Sequence, residues 1–135
     1  MSPQHAFRDD IPFVKDLGIE FVSADNGHST LALDLTPRHL NSWNVAHGGV
    51  LMTLLDVAMA VAGRTLDPAA GGGVTVEMKT NFLQPAEAGQ RLSASGHVYH
   101  RSGSMSFCDA EVRDARGRLL AKAMGTFRYR SQASG

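Results

Sequence analysis

One apolar stretch constrains the fold of this sequence more than any other feature. It runs from Val50 to Ala62 and is interrupted only by Thr53 and Asp56. Its thirteen residues fall short of the ~20 that cross a bilayer, so the stretch predicts a buried helix and not a membrane span. The flanking motifs His47-Gly48-Gly49 and Asp67-Pro68 predict a helix of about sixteen to eighteen residues that begins near His47.

The predicted helix carries a single charge. Asp56 is the only ionisable residue between His47 and Arg64. A carboxylate buried without a partner costs several kcal/mol. Two explanations remain open: a structural carboxylate paired with Lys79 or an arginine, or a catalytic carboxylate, because perturbed acids cluster at active sites.

The same helix has two different apolar faces. Small or pliable residues fall within ~60° of Asp56 on a helical wheel; they are Gly49, Met52, Thr53, Met59, Ala60 and Gly63. Bulkier residues on the other side predict the face that packs on a sheet; they are Val50, Leu51, Leu54, Ala58 and Val61. The face around Asp56 would allow a second helix to approach closely.

The start of the helix is a second chemical feature. The backbone N–H groups of Gly48 and Gly49 could stabilise an oxyanion, although a glycine pair also suits a tight turn. Gly48 and Asp56 are eight residues apart, or ~12 Å along the axis, so one small reacting group cannot touch both. If the two features act together, an antiparallel helix of a second copy must supply one of them across a two-fold axis.

The rest of the chain predicts β-structure. A hairpin is expected between Leu17 and Leu35 with its turn at Asp25-Asn26-Gly27, and four more strands are expected over 74–83, 91–100, 104–114 and 118–130. In the first of these, alternation places Val76, Met78 and Phe82 on one face and Thr75, Glu77, Lys79 and Asn81 on the other. We therefore expect one α+β domain over 1–135, with an N-terminal helix or arm over 1–16 and a disordered tail over 131–135.

Composition excludes several classes of function. Thirteen Lys+Arg balance thirteen Asp+Glu, so nucleic acid is not an expected partner. Cys108 is the only cysteine, which excludes an intrachain disulfide and a thiolate zinc site and favours the cytoplasm. No secretory signal or membrane segment is expected. His97 and His100, three apart in a predicted strand, are expected to point to opposite faces, which argues against a shared metal.

Several motifs together resemble one family. Asn41, His47-Gly48-Gly49 and Asp56 follow the frame N-x5-HGG-x6-D, which resembles the signature of hotdog-fold acyl-CoA thioesterases of the phenylacetate-degradation (PaaI-like) type. The segment 73–86, which ends in Gln84-Pro85-Ala86, and the turn Arg101-Ser102-Gly103 resemble later parts of that family. The resemblance implies a hotdog fold, in which an antiparallel sheet of five to six strands wraps a central α-helix, and a homodimer with active sites at its interface that pairs into a homotetramer.

The resemblance also implies the chemistry. The substrate would be an acyl-CoA with an aromatic (phenylacetyl or hydroxybenzoyl-like) or short-to-medium aliphatic acyl group, and no cofactor or metal would be needed beyond the coenzyme A of the substrate. Asp56 would act as nucleophile or general base, Gly48 N–H of the other subunit would polarise the carbonyl, Asn41 and Thr75 would position water or substrate, and His47 would hold the loop. Further residues are candidates for contact with the acyl group or coenzyme A; they are Gly49, Trp43, Lys79, Asn81, Arg101, Arg64 and the turn Arg113–Arg118.

Two other functions stay open from the sequence. The first is a hotdog acyl-CoA or acyl-carrier-protein dehydratase, although the long separation of His47 and Asp56 fits it less well. The second is a non-catalytic acyl-CoA-binding regulator, against which the presence of Asp56 argues.

Overall fold

The computed structural model describes residues 11–67 and 72–130. Its elements, in chain order, are α1 (Pro12–Leu17), β1 (Glu20–Asp25), β2 (His28–Asp34), a 3-10 turn (Pro37–His39), α2 (Gly48–Arg64), β3 (Gly73–Phe82), β4 (Arg91–Ser102), β5 (Met105–Arg113) and β6 (Leu119–Tyr129). The strands form one antiparallel sheet in the order β1-β2-β4-β5-β6-β3. This is the predicted α+β arrangement of one long helix on an antiparallel sheet. The predicted arm over 1–16 is described only from Ile11, and the tail over 131–135 lies outside the described residues.

Helix α2 forms the centre of the core. Leu54, Leu55, Ala58 and Met59 are fully buried and pack on inward-facing side chains of the sheet, among them Leu92. Each fully buried leucine contributes about 1.5–3 kcal/mol relative to an exposed one. None of the helices in the described residues has the length and apolar character needed to cross a membrane.

The middle of α2 is fixed against the sheet by contacts that the sheet makes with the helix backbone. Gly96 on β4 lies so close to the helix that a Cβ there would overlap the carbonyl of Ala58. Ser29, which is opposite Gly96 in the sheet, donates its Oγ–H to the Ala58 carbonyl oxygen at 2.6 Å, and Tyr129 donates its hydroxyl to the Ala60 carbonyl oxygen at 2.7 Å. These contacts set the position of the helix along the sheet.

Two β-bulges place side chains on strand faces other than those predicted from the sequence. The β3–β6 register shifts between Thr75 and Glu77, so Thr75 lies on the helix-facing side with Met78 and not on the opposite side. The β4–β5 register shifts between Val98 and His100. As a result, His97 and His100 lie opposite Asp109 and Phe107, two residues that share one face of β5, and the prediction that the histidines point to opposite faces is wrong.

The predicted small-residue face of α2 is exposed only in part. Gly49 and Met52 are exposed, and Thr53 and Asp56 are half-buried. Met59 and Gly63, which the helical wheel placed on the same face, are buried, because Gly125 and Tyr129 of β6 cover them. The sheet covers this face at the C-terminal end of the helix and leaves it exposed at Gly49 and Met52.

Candidate active site

Asp56 is half-buried in α2 and is held by β3. Thr75 donates its Oγ1–H to Asp56 Oδ1 at 2.6 Å, and the bulge after Thr75 makes this contact possible. Lys79, considered above as a structural partner of Asp56, lies opposite Met124 in the sheet, on the face away from the helix. The carboxylate is therefore partnered by a hydroxyl and not by a cation of β3.

Asp56 and Thr75 open into a cavity of about 550 Å³. Helix α2 forms its floor, α1 one wall and the start of β3 the other, with Phe13, Met52 and Tyr129 among the lining residues. A cavity of this size with mostly apolar walls and few polar groups is typical of a small-molecule site. The arrangement presents one carboxylate to a largely apolar space.

The start of α2 forms a second cluster. His47 is the N-cap, and its Nδ1 accepts a hydrogen bond from Gly49 N–H at 2.8 Å. The prediction of two open glycine N–H groups is therefore wrong for Gly49, because the side chain of His47 occupies its N–H. Gly48 N–H has no acceptor among the described residues, and it remains available to an oxyanion.

Asn41 organises the turn that precedes α2. Its Oδ1 accepts hydrogen bonds from the backbone N–H groups of Trp43 at 2.9 Å and Val45 at 3.4 Å, and Asn44 adopts a left-handed φ of 60°. This turn holds the Trp43 side chain outward, where it is 84% exposed. Asn41 and Gly48 line a second cavity of about 330 Å³.

The two cavities are separate within one chain. No lining residue is shared between the cavity of Asp56 and Thr75 and the cavity of Asn41 and Gly48. A carboxylate and an oxyanion-binding N–H that served one reaction would therefore have to come from two chains.

Comparison with known proteins identifies the family. The family model described as "Thioesterase superfamily" matches residues 44–121. The chain belongs to the thioesterase superfamily. It is 31% identical over 121 residues to the acyl-coenzyme A thioesterase PaaI of Escherichia coli, covering 90% of this chain and 84% of PaaI. It is 33% identical over 111 residues to a putative esterase of Saccharolobus solfataricus, covering 82% of this chain and 73% of that protein.

The structural comparison agrees with the sequence comparison. The structure of the E. coli PaaI protein from the phenylacetic acid degradation operon superposes with a TM-score of 0.84 at 27% identity and covers 94% of this chain and 90% of PaaI. The predicted hotdog fold and the predicted PaaI-like type are confirmed, and the protein is a thioester hydrolase.

Three predicted substrate contacts of this thioesterase lie apart from both clusters. Lys79 and Asn81 lie opposite Met124 and Lys122, on the outer face of the sheet. Arg101 Nη1 donates to the Gly63 carbonyl oxygen at 3.1 Å near the C-terminal end of α2, where its guanidinium also lies 5.2 Å from the ring centroid of Tyr129. The structure does not bring these three side chains together with Asp56 or Gly48.

The sequence interpretation missed two cavity residues of the thioesterase. Phe13 of α1 and Tyr129 of β6 both line the Asp56 cavity. Nothing local marks either residue, because α1 and β6 reach α2 only through the tertiary fold. Burial raises the pKa of the Tyr129 hydroxyl above its usual value, so this group stays protonated and donates to Ala60.

The thiol of Cys108 and the imidazole of His97 have structural contacts and lie outside the candidate site. Cys108 is fully buried, with Sγ 3.7 Å from the Met59 carbonyl oxygen, and burial raises its pKa to about 12. This thiol is thus not a nucleophile at neutral pH. His97 stacks on His28 with ring centroids 4.6 Å apart. Within 11–67 and 72–130, no group of three or more His, Cys, Asp or Glu side chains is arranged to hold a metal ion.

Proposed function

We propose that this thioesterase hydrolyses acyl-coenzyme A to the free acid and coenzyme A, with an aromatic or short-to-medium aliphatic acyl group. The hydrogen bond from Thr75 to Asp56 inside the 550 Å³ cavity carries the proposal, because it orients a carboxylate beside a space of the right character for an acyl group. The relative PaaI is named an acyl-coenzyme A thioesterase, which supports acyl-coenzyme A as the class of substrate. No cofactor takes part, since coenzyme A enters as part of the substrate.

Asp56 can act in either of two ways. As a nucleophile, its carboxylate attacks the thioester carbon, coenzyme A leaves as a thiolate that takes up a proton, and water then cleaves the mixed anhydride. As a general base, it takes a proton from water while the water oxygen attacks, and the thiolate leaves and is protonated. Thr75 holds Oδ1 in both cases, which leaves Oδ2 to face the reacting atom.

Both routes place negative charge on the carbonyl oxygen. We assign its stabilisation to Gly48 N–H of the partner subunit, at the positive end of that subunit's α2. His47 holds Gly49 and thereby the first turn of the helix, and Asn41 holds the preceding turn while its side chain lines the same cavity.

The shared site requires a homodimer with antiparallel α2 helices. The open part of α2, which includes Gly49, Met52 and Thr53, allows a second helix to approach. Strand β3 lies at the edge of the sheet and exposes Val74 and Val76, so it offers backbone groups and apolar surface to a partner. We further propose that the dimers pair into a homotetramer that works in the cytoplasm.

The test is release of free thiol from a panel of aromatic and aliphatic acyl-CoAs. Asp56→Asn should lower turnover by at least ~10²-fold with the fold intact. Asp25→Asn, at the exposed last residue of β1, is the matched control and should keep full turnover. Binding of acyl-CoA without hydrolysis by the wild type would contradict the proposal and favour a binding protein, and hydration of an enoyl-CoA would favour a dehydratase.

A further inference from the structure

The beginning of α1 leaves two large apolar side chains exposed at the Asp56 cavity. Ile11, the N-cap residue of this helix, and Phe13 both line the cavity. Both are exposed, and Phe13 is exposed to 62%. Neighbouring apolar side chains that stay in contact with water are typical of binding surfaces. This wall of the cavity therefore offers an uncovered apolar surface to a ligand.

Helix α1 is attached to the protein through other residues. Val14 is buried in the main core. At the end of the helix, the Leu17 carbonyl oxygen lies 2.7 Å from Nε2 of His39, a buried residue. Nδ1 of that ring accepts a hydrogen bond from Thr36 N–H, so Nε2 carries the proton and donates to Leu17. These contacts fix α1 and leave the ring of Phe13 uncovered.

The hydroxyl groups of the cavity are already used by the protein. Among the described lining residues, they belong to Thr53, Thr75 and Tyr129. Each donates its hydrogen to an oxygen atom of α2, at 2.8 Å, 2.6 Å and 2.7 Å respectively. The pantetheine arm of coenzyme A carries amide groups, and a buried amide without a partner costs free energy. The apolar acyl group is therefore the part of the substrate that suits this space.

The cavity continues from Asp56 along the surface of α2. Val57, Ala60 and Val61 line it, and the last of these lies five residues beyond Asp56, or ~7.5 Å along the helix axis. An acetyl group extends a single carbon–carbon bond, ~1.5 Å, beyond the thioester carbon, so it stays beside Asp56. A longer acyl chain continues over this apolar surface and reaches the wall that α1 forms.

We propose that Phe13, together with Ile11, binds the distal part of the acyl group and makes the enzyme selective for longer, apolar acyl-CoAs over acetyl-CoA. Phe13 is then a specificity-determining residue, while the reaction itself takes place at Asp56. Each methylene group that is removed from water raises affinity by ~4-fold, so contact with Phe13 favours the longer chain. This inference rests on the proposed hydrolysis of acyl-CoA.

The test compares octanoyl-CoA with acetyl-CoA. Wild type should favour octanoyl-CoA in kcat/KM by ~10²-fold or more. Phe13→Ala should lower kcat/KM for octanoyl-CoA by ~10-fold, mainly through a higher KM, and leave the value for acetyl-CoA in place. Phe13→Leu keeps an apolar side chain and should retain most of the octanoyl rate. Tyr99→Ala, which removes an exposed aromatic ring of β4 that lines neither described cavity, is the matched control and should leave the ratio unchanged.

The selectivity has a definite set of contrary results. Equal losses for the two thioesters in Phe13→Ala would show a structural role only, and an unchanged octanoyl rate would show no role at all. A wild type that prefers acetyl-CoA would equally overturn the proposal. If Phe13→Ala does not fold, Phe13→Gln replaces the ring with a polar side chain and must lose the same preference.

A second readout separates this proposal from the hydrolysis itself. Calorimetry with Asp56→Asn measures the affinities for the two thioesters without turnover, and addition of Phe13→Ala should weaken the binding of octanoyl-CoA alone. Unchanged octanoyl affinity would overturn the role of Phe13. A wild type that hydrolyses neither thioester overturns the proposed function, while a loss of octanoyl affinity on Phe13→Ala would still support Phe13.

Discussion

Thr75 donates a 2.6 Å hydrogen bond to Asp56 across 19 residues of sequence. The bond joins the edge strand of the sheet to the middle of the central helix, and a β-bulge directly after Thr75 turns its side chain inward. The carboxylate orientation therefore depends on a local irregularity in β3.

Removing the hydroxyl of Thr75 should slow catalysis without loss of the fold. Thr75→Val keeps the β-branched shape but cannot donate to Asp56. We expect kcat to fall by ~10-fold or more, since hydrogen bonds to charged groups contribute about 1.5–3 kcal/mol. Thr75→Ser restores the donor and should restore most of the rate in steady-state assays. Wild-type kcat in Thr75→Val would show that the bond does not matter for turnover.

Replacing Gly48 by proline should remove the oxyanion donor while keeping helix α2. Proline is well tolerated at the first helical position, and His47, at φ −60° and ψ 137°, already has the conformation required before proline. A Cβ at this site would lie 3.5 Å from the Phe82 ring, an ordinary contact. We expect kcat to fall by ~10²–10³-fold, whereas Gly48→Ala, which keeps the N–H, should retain most activity. Circular dichroism checks the helix.

Mixing two inactive variants should restore activity if the site spans two subunits. In a heterodimer of Asp56→Asn and Gly48→Pro, one site receives Asp56 and Gly48 in their native forms and the other receives neither. Random exchange of subunits should recover about a quarter of wild-type turnover, because half of the dimers are mixed and each has one intact site. A site built within one chain would recover nothing, and each variant incubated alone is the control.

A side chain at Gly96 should destabilise the protein strongly. Its Cβ would overlap the Ala58 carbonyl, so helix and strand must separate. We expect Gly96→Ala to lower the free energy of unfolding by ~1–3 kcal/mol or more. Gly72→Ala, where a Cβ meets no atom within 4 Å, should be close to neutral. Urea titrations of the two variants compare them, and equal stabilities would contradict this account of the helix position.

High pH should destabilise the fold through two buried groups. Burial raises the pKa of Cys108 from 9.0 to about 12 and raises the pKa of Tyr129. The unfolded chain therefore loses these protons at lower pH than the folded chain, and stability falls as pH rises above 9 toward 12. Urea unfolding on either side of pH 9 measures the fall. The stability of Cys108→Ala should fall less steeply with rising pH. An unchanged slope of stability against pH would exclude the thiol as a cause.

Local signals in the sequence predicted much of the fold and the spacing of two candidate site residues. Helix α2 was predictable because a glycine pair and Asp67-Pro68 bracket an apolar run, and the structure begins it at Gly48. The separation of Gly48 and Asp56 followed from helix geometry alone. These features depend on a few consecutive residues, so no tertiary information was needed.

Most of the failed predictions have tertiary causes, whereas the one at Gly49 has a local cause. The face of Thr75 was wrong because alternation assumes an unbroken period of two, whereas a bulge depends on how the neighbouring strand pairs. The helical wheel placed Met59 on an open face because it contains no information about how far the sheet curls around the helix. The open N–H at Gly49 was wrong because a ring nitrogen two residues earlier folds back on it.

The exposed side chain of Trp43 provides this enzyme with an intrinsic fluorescence probe. It is the only tryptophan in the chain, and its backbone N–H donates to the side chain of Asn41, which lines the cavity of Gly48. We therefore expect its fluorescence to change when a ligand or the proposed second subunit arrives next to the Asn41 turn. Stopped-flow emission can separate those steps in time from thiol release, without a label or a substitution.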